Sequence, residues 1–342
     1  MNELDNLDFN TLLNSDNSLL DENIEDVPPV PTELRISTIT AICKTNVSIN
    51  LPNLIACLDE YILPDDENQD NLEASSNEGI IRCKYGNVNL GRKEDKKGRK
   101  NKKFFYNQIT IVMKIHNGGK SFKSINMKIF NNGNFQLTGL KKEQDGHKAI
   151  QLLVSYLSDI QEKSIPDVFT FENPNDKVIQ YRDFDIVLIN TDFCARFKIR
   201  RDRLHQILVN QYQIFCSYEP CIYPGVNSKY YWNEDYKNYP NKGICYCSKN
   251  CTGKGKGCGN GGCKKVTISI FQSGNVIITG ARTFEQINDS YTFINSVFRN
   301  HFHEIKRNPS PFLIEEPRSV KLSEIIYIKK SDLVFKNKKI FF

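Results

Sequence analysis

What this sequence lacks narrows its class before any motif is considered. Across 342 residues there is no apolar run approaching the roughly 18 residues that a membrane-crossing helix needs, which excludes a helical membrane protein. Residues 1–20 have neither the basic start nor the apolar middle of a secretion signal, so the chain is expected not to be secreted. The five histidines, at 116, 147, 205, 301 and 303, form no HExxH or other catalytic spacing, and residues 253–262 lack GxxxxGK(S/T). Neither an enzyme nor a nucleotide-binding loop is therefore expected. The first 34 residues hold no lysine or arginine, yet they carry nine of the 40 acids. The rest of the chain sets 46 basic side chains against 31 acidic ones, a surplus of 15 hidden behind a formal net charge of +6. Such a body suits a polyanionic partner. Eleven cysteines without a secretion signal point to a reducing compartment, where clustered thiols bind metal more often than they form disulfides.

Composition divides what remains. Residues 1–32 mix acids with Leu, Phe and Ile and end in a proline-rich hinge, the composition of a disordered interaction arm or of a plain solvated one. A second charged stretch, about 64–103, opens acidic and closes with GRKEDKKGRKNKK; it reads as disordered, either solvated or touching nucleic acid. Beyond these lies a repeat. Residues 125–157 and 266–298 align without a gap, sharing Ile129/Ile270, Phe130/Phe271, Gly133/Gly274, Asn134/Asn275, Thr138/Thr279 and Gly139/Gly280. INMKIF and VTISIF alternate as half-buried strands do, and NG and SG supply the positive φ of a tight hairpin turn. A second strand then stops at glycine. A helix follows with apolar residues at Ala149, Ile150, Leu153 and Leu157 in one copy and Tyr291, Ile294, Val297 and Phe298 in the other. The expected fold is α+β, a pseudo-twofold pair of curved antiparallel sheets, each backed by a helix.

The two IF-x-x-G blocks, at residues 129–141 and 270–282, resemble the repeats of the TATA-binding protein family. The stretch SYEPCIYPG at 217–225 resembles its second stirrup, RISTI at 35–39 its opening strand, and FKIR at 197–200 the approach to a helix of the second repeat. The resemblance implies a saddle with repeats at 33–165 and 180–306, an insert at about 233–265, and a tail at 307–342. The insertions and Asn/Lys/Ile-rich usage resemble a giant-DNA-virus member. It also implies a DNA-binding initiation factor that bends AT-rich double-stranded DNA through the minor groove, where apolar wedges enter between base steps. On this basis Phe130, Phe271 and Tyr223 are wedges, and Phe105 is the fourth, although strict spacing gives Gln108. Thr138, Thr279, Ile36 and Ile277 would meet the groove floor, with Asn190 standing in for family asparagines that align with Leu34 and about Leu188. Lys114, Lys141 and Arg282 retain cationic positions. Glu219 matches a residue that recruits transcription factor IIB, so a factor of that kind and the RNA polymerase machinery are the implied partners. The expected particle is a monomer on DNA in the nucleus or a cytoplasmic viral factory, with no membrane partner. The lost asparagines leave a second reading open, a saddle-shaped interaction scaffold without TATA-specific bending.

The insert contains five thiols in nineteen residues, C-x-C-x3-C-x6-C-x4-C, with abundant glycine. That composition suits a backbone wrapped round one structural Zn2+ better than a core. Cys245, Cys251, Cys258 and Cys263 are the chosen ligands, with Cys247 as the alternative; free thiols or a reversible disulfide remain open. No acid falls between Asp235 and Glu285 while seven lysines do, so the insert either extends a phosphate contact or is a plain soluble loop.

Overall fold

A computed structural model describes residues 27–64, 77–91, 105–116 and 121–308. Most of the acidic leader, both flanks of the 64–103 stretch and nearly all of the 307–342 tail lie outside the described residues. The first half runs β1 (Arg35–Thr45), β2 (Val47–Ile49), α1 (Leu51–Cys57), β3 (Gly79–Tyr85), β4 (Val88–Gly91), β5 (Gln108–His116), β6 (Phe122–Phe130), β7 (Asn134–Leu140) and α2 (Glu143–Glu162). The second continues with β8 (Phe169–Phe171), β9 (Tyr181–Cys194), α3 (Arg201–Asn210), β10 (Phe215–Ser217), β11 (Val226–Trp232), β12 (Lys264–Ile270), β13 (Asn275–Ala281), α4 (Phe284–Asn300) and α5 (Phe302–Ile305).

Eleven of these strands form one antiparallel sheet in the order β10-β11-β12-β13-β9-β1-β7-β6-β5-β3-β4. Outward from the β1–β9 seam, the sequence of partners is the same on both sides, and among the described residues only β4 lacks a counterpart. Hydrogen bonds cross the seam with Ile39 opposite Ile189 and Thr40 opposite Leu188, so the two halves share a single sheet. The α+β saddle is thus built as two equivalent halves.

The repeated turns explain themselves. Gly133 and Gly274 sit at φ +74° and +89°, the left-handed region that side chains resist. A Cβ at Gly133 would stand 2.1 Å from the Val47 carbonyl oxygen, and one at Gly274 would stand 2.4 Å from that of Phe197. Their own carbonyls accept from Thr45 N and Ala195 N, each at 2.8 Å. Each turn is therefore pinned by the chain leaving the central strand of its own half. α2 buries Ala149, Ile150, Leu153 and Leu157 against the sheet, as the periodicity predicts; α4 buries the predicted Ile294, Val297 and Phe298 together with Ile287 and Phe293, while the predicted Tyr291 is only half-buried at the edge of the core. Apart from Ala149, each such buried side chain contributes roughly 1.5–3 kcal/mol.

One expectation needs correction. Part of the 64–103 stretch is ordered: β3 and β4 form a hairpin with Cys83 opposite Leu90, extending the sheet beyond β5. Ile80 and Cys83 are buried, and Gly86 turns the chain at φ +54°. The charged flanks dominate the composition and conceal a short strand pair whose own residues are mostly uncharged.

Candidate nucleic-acid interface

The sheet has two unlike faces. Odd-numbered residues of β6 (Ile125, Met127, Ile129) are buried toward the helices, which leaves Asn126, Lys128 and Phe130 on the open face. Pairing carries that face across the sheet, because directly opposed residues of an antiparallel ladder point the same way. Phe130 stands opposite Gln108, Lys128 opposite Thr110, and Asn126 opposite Thr138. Thr138 stands opposite Thr40, and Thr40 opposite Leu188. In the other half, Thr279 is paired with Thr267, and Ile277 with Ser269 and Asp192. The floor is therefore made mainly of short hydroxyl and amide side chains and isolated aliphatic ones, with Lys128 and the Asp192 carboxylate among them. The Thr279 hydroxyl donates to Asn190 Oδ1 at 2.5 Å. Ile277 is 39% exposed, and Ile42, which the sequence reading missed, is 40% exposed.

The rings lie at the ends of this floor. Tyr223 and Phe271 are in edge contact, ring centroids 5.8 Å apart, above Gly225, where a Cβ would come within 2.8 Å of the Tyr223 ring. The turn bearing Tyr223 is closed by the Glu219 carbonyl, which accepts from the backbone N–H groups of Ile222 and Tyr223. It leaves the Glu219 side chain at the surface. In the first half Phe130 borders a hollow of about 610 Å³ together with Ile42 and Gln136.

The ladder identifies Tyr106 as the residue equivalent to Tyr223. Ile109 faces Ile129 as Val226 faces Ile270, and three residues back from each lie Tyr106 and Tyr223. Phe105 then corresponds to the stirrup-tip Ile222, which is 86% exposed. Tyr106 packs edge-on against Tyr85, 5.8 Å away, so the first half carries its ring apart from Phe130. Counting back from a paired isoleucine, rather than from the Ile111-Val112-Met113 run, would have found it.

Several other expected contacts are placed differently. Ile36 faces Thr191, which is itself 1% exposed, and packs against the core, because the register shifts between Ile36 and Thr38. Lys114 is buried, its ammonium 4.1 Å from the centre of the Phe122 ring. Lys141 donates to the backbone carbonyls of Ile36 and Ser37, and Arg282 is paired with Asp185. Cations on the open face instead include Lys128, Lys229 and Lys265, and Lys84 opposite Thr110. Lys128 is two residues before Phe130 on its strand, a period-two signal in plain sight. Burial, with Lys265 nearby, lowers the pKa of Lys229. Asp192 is the acid beside Ile277. Partial burial opposes its charge, but hydrogen bonds from the Ser37 hydroxyl and the Arg35 guanidinium outweigh that and hold its carboxyl below the usual range.

At the far end of β11 the insert is folded. Cys245, Cys247, Cys251 and Cys263 bring their sulfur atoms within 4.8 Å of one another, and these four could hold a metal ion. Cys258, chosen from the spacing, is exposed and outside the group, and Cys247 takes its place. A run of thiols fixes how many ligands are available but not which one the backbone turns outward.

Comparisons with known proteins then give the family. The family model "Transcription factor TFIID (or TATA-binding protein, TBP)" matches residues 185–301. A "TATA-box-binding protein-like" protein of Acanthamoeba polyphaga mimivirus is 31% identical over 294 residues, covering 81% of this chain and 68% of the relative. The "TATA-box-binding protein" of Tetrahymena thermophila is 27% identical over 173 residues, covering 51% and 50%. The solved structure of Methanococcus jannaschii TBP aligns with 80% of this chain and 99% of its own at 16% identity, with a TM-score of 0.38. With the repeat, the palindromic sheet and a relative matched over most of both chains, the protein belongs to the TATA-box-binding protein family.

Proposed function

We propose that the open face receives AT-rich duplex DNA through its minor groove and bends it, and that the chain serves, without enzymatic activity, as a transcription initiation factor. The observation that carries this reading is the Tyr223–Phe271 ring pair at one end of a helix-free floor, with Phe130 at the symmetry-related position. Aromatic edges at both ends can unstack two base steps, while hydroxyl and amide groups between them suit the degenerate acceptors of A·T pairs. Lys128, Lys229 and Lys265 stand on the same face to meet phosphates. The exposed Glu219 supports recruitment of a transcription factor IIB-like partner, and through it the polymerase machinery. Cys221 stands where the family has a second glutamate, which narrows that contact.

A scaffold without productive bending is favoured by one observation, the carboxylates of Asp192 and Asp185 at the open face, each matched to an arginine of the same chain. Equilibrium binding to AT-rich and GC-rich duplexes across a salt series, with end-to-end fluorescence transfer, separates the two readings. The initiation-factor reading expects bending and a preference for AT-rich DNA on the order of a hundredfold. Binding without preference or bending would leave the scaffold.

Asp192→Asn provides a finer probe of the same surface. Removing the carboxylate frees Arg35 and takes a negative charge off the floor. Affinity at low salt is expected to rise roughly tenfold, and the slope of log K against log salt to steepen by about 0.9, one phosphate contact. An unchanged slope would mean that Arg35 does not reach the DNA backbone.

A further inference from the structure

We infer that Cys245, Cys247, Cys251 and Cys263 form a structural tetrathiolate Zn2+ site that fastens the insert to the end of β11 and β12. The Cys263 sulfur lies 3.7 Å from that of Cys245 and 3.3 Å from that of Cys247. A tetrahedron with Zn–S bonds of about 2.3 Å has edges of about 3.8 Å, whereas a disulfide needs sulfurs about 2.05 Å apart. The cluster therefore has the size of a metal site, and all four residues are free thiols.

Three ligands come from the loop that follows Glu234–Tyr236, and the fourth immediately precedes β12. The glycine-rich arm between them makes this convergence possible. It doubles back as a tight hairpin in which Gly255 N donates to the Cys263 carbonyl at 3.0 Å and Gly257 N to that of Gly262 at 2.8 Å. A Cβ at Gly255 would stand 2.1 Å from the Gly262 oxygen, so this arm admits no side chain there.

The surroundings are those of thiolates. Asn233 Nδ2 donates to the Cys263 sulfur at 3.5 Å and to the Gly259 carbonyl at 2.9 Å, an outer contact of the kind that orients metal ligands. Four thiolates round Zn2+ leave two negative charges, and the segment that holds them contains seven lysines and no acid from residue 236 to 284. Four sulfurs in a tetrahedral arrangement select zinc or iron among common metals. The closed ligand set, with no open position for substrate, is that of a structural centre.

The site ties together elements that otherwise meet through a cluster of tyrosine rings, Tyr236, Tyr239 and Tyr246, and a few hydrogen bonds. Gln286 in the first turn of α4 donates to the Lys256 carbonyl at 3.0 Å, and Trp232 Nε1 donates to Asp289 at 2.6 Å. Gly257 lies flat on the Trp232 ring, leaving a Cβ only 2.4 Å. Metal would hold the loop against both the sheet end and this helix, in a segment too rich in glycine and lysine to form a core.

The full chain, expressed with zinc and exchanged into chelator-free buffer, should contain close to one Zn per molecule by elemental mass spectrometry. Cys247→Ser and Cys263→Ser should each lower occupancy about tenfold, and Cys258→Ser should leave it unchanged. Exchange with Co2+ should give the thiolate charge-transfer and visible bands of a tetrahedral sulfur site. If the serine variants fail to fold, alkylation of the wild-type chain gives an independent measure. Four mapped thiols, 245, 247, 251 and 263, should resist reaction until a chelator is added, while Cys221 and Cys258 react at once. Absence of metal, stoichiometric iron, full occupancy in Cys247→Ser, or loss in Cys258→Ser would overturn the assignment. None of these measurements uses DNA, so the outcome is independent of the proposed function.

Discussion

A chain carrying both Phe130→Ala and Phe271→Ala is expected to bind duplex DNA yet no longer bend it. Forcing a base step open costs a few kcal/mol, and the inserted ring together with the extra surface wrapped by the kinked duplex repays it. Alanine offers neither, so the bent complex loses its source of stability at both ends. Affinity for AT-rich DNA should fall on the order of a hundredfold, about 2.8 kcal/mol at 1.4 kcal/mol per tenfold. Binding to GC-rich duplex should change little, and the salt slope should stay where it was, because no charge has been removed. Both rings project from the ends of strands on the open face, so the fold should survive the change. End-to-end fluorescence transfer reads the bend directly, and wild-type transfer in the double variant would refute the wedge assignment. Two further arms test the register: Tyr106→Ala should weaken bending and Phe105→Ala should not. The reverse would return the fourth position to Phe105.

The second large effect concerns the seam. Ile39→Ala or Ile189→Ala should each cost roughly 3 kcal/mol, the middle of the range for deleting a fully buried isoleucine. Both are fully buried, and they face each other across the strands that join the halves. For a sheet of this size, that is a loss of about 6–12 °C in Tm. The single tryptophan, Trp232, lies in the second half and Ile39 in the first. If the sheet unfolds as one body, Trp232 fluorescence and far-ultraviolet circular dichroism should move together in Ile39→Ala. A transition that leaves Trp232 in place would show that the halves unfold separately. Their effects should not add in the double variant, since the two side chains share a contact.

Much of this architecture was legible because the repeated turns demand glycine with a positive φ, and the flanking strands alternate strictly. Phe130 pairs with Phe271, and Thr138 with Thr279, in the gapless alignment alone; the family resemblance supplied their expected roles. What resisted reading was whatever depends on register. Ile36 matches a groove residue of the family, but the shift before Thr38 turns it to the core. Tyr106 is revealed only by which isoleucines face one another. The β3–β4 hairpin was hidden by charged neighbours, and the burial of Lys114 by a family resemblance that matches charge without fixing exposure. At the cysteine cluster the sequence told how many sulfurs there were, but only the folded hairpin tells that Cys258 points away. Ion pairing was the least visible: that Arg282 and Arg35 are engaged by Asp185 and Asp192 follows from strands more than ninety residues apart.

The palindromic strand order has a consequence for directionality. A minor groove has its own approximate dyad, so a perfectly symmetric saddle would sit on it equally well in either direction. The choice of direction then falls to positions where the halves differ. Ile42 faces Gln136, and its counterpart Asp192 faces Ile277; Tyr223 touches Phe271, while Tyr106 leans on Tyr85. A difference of 1.4 kcal/mol summed over these places suffices for a tenfold bias toward one heading along the duplex. The compass of such a complex lies in its few broken symmetries.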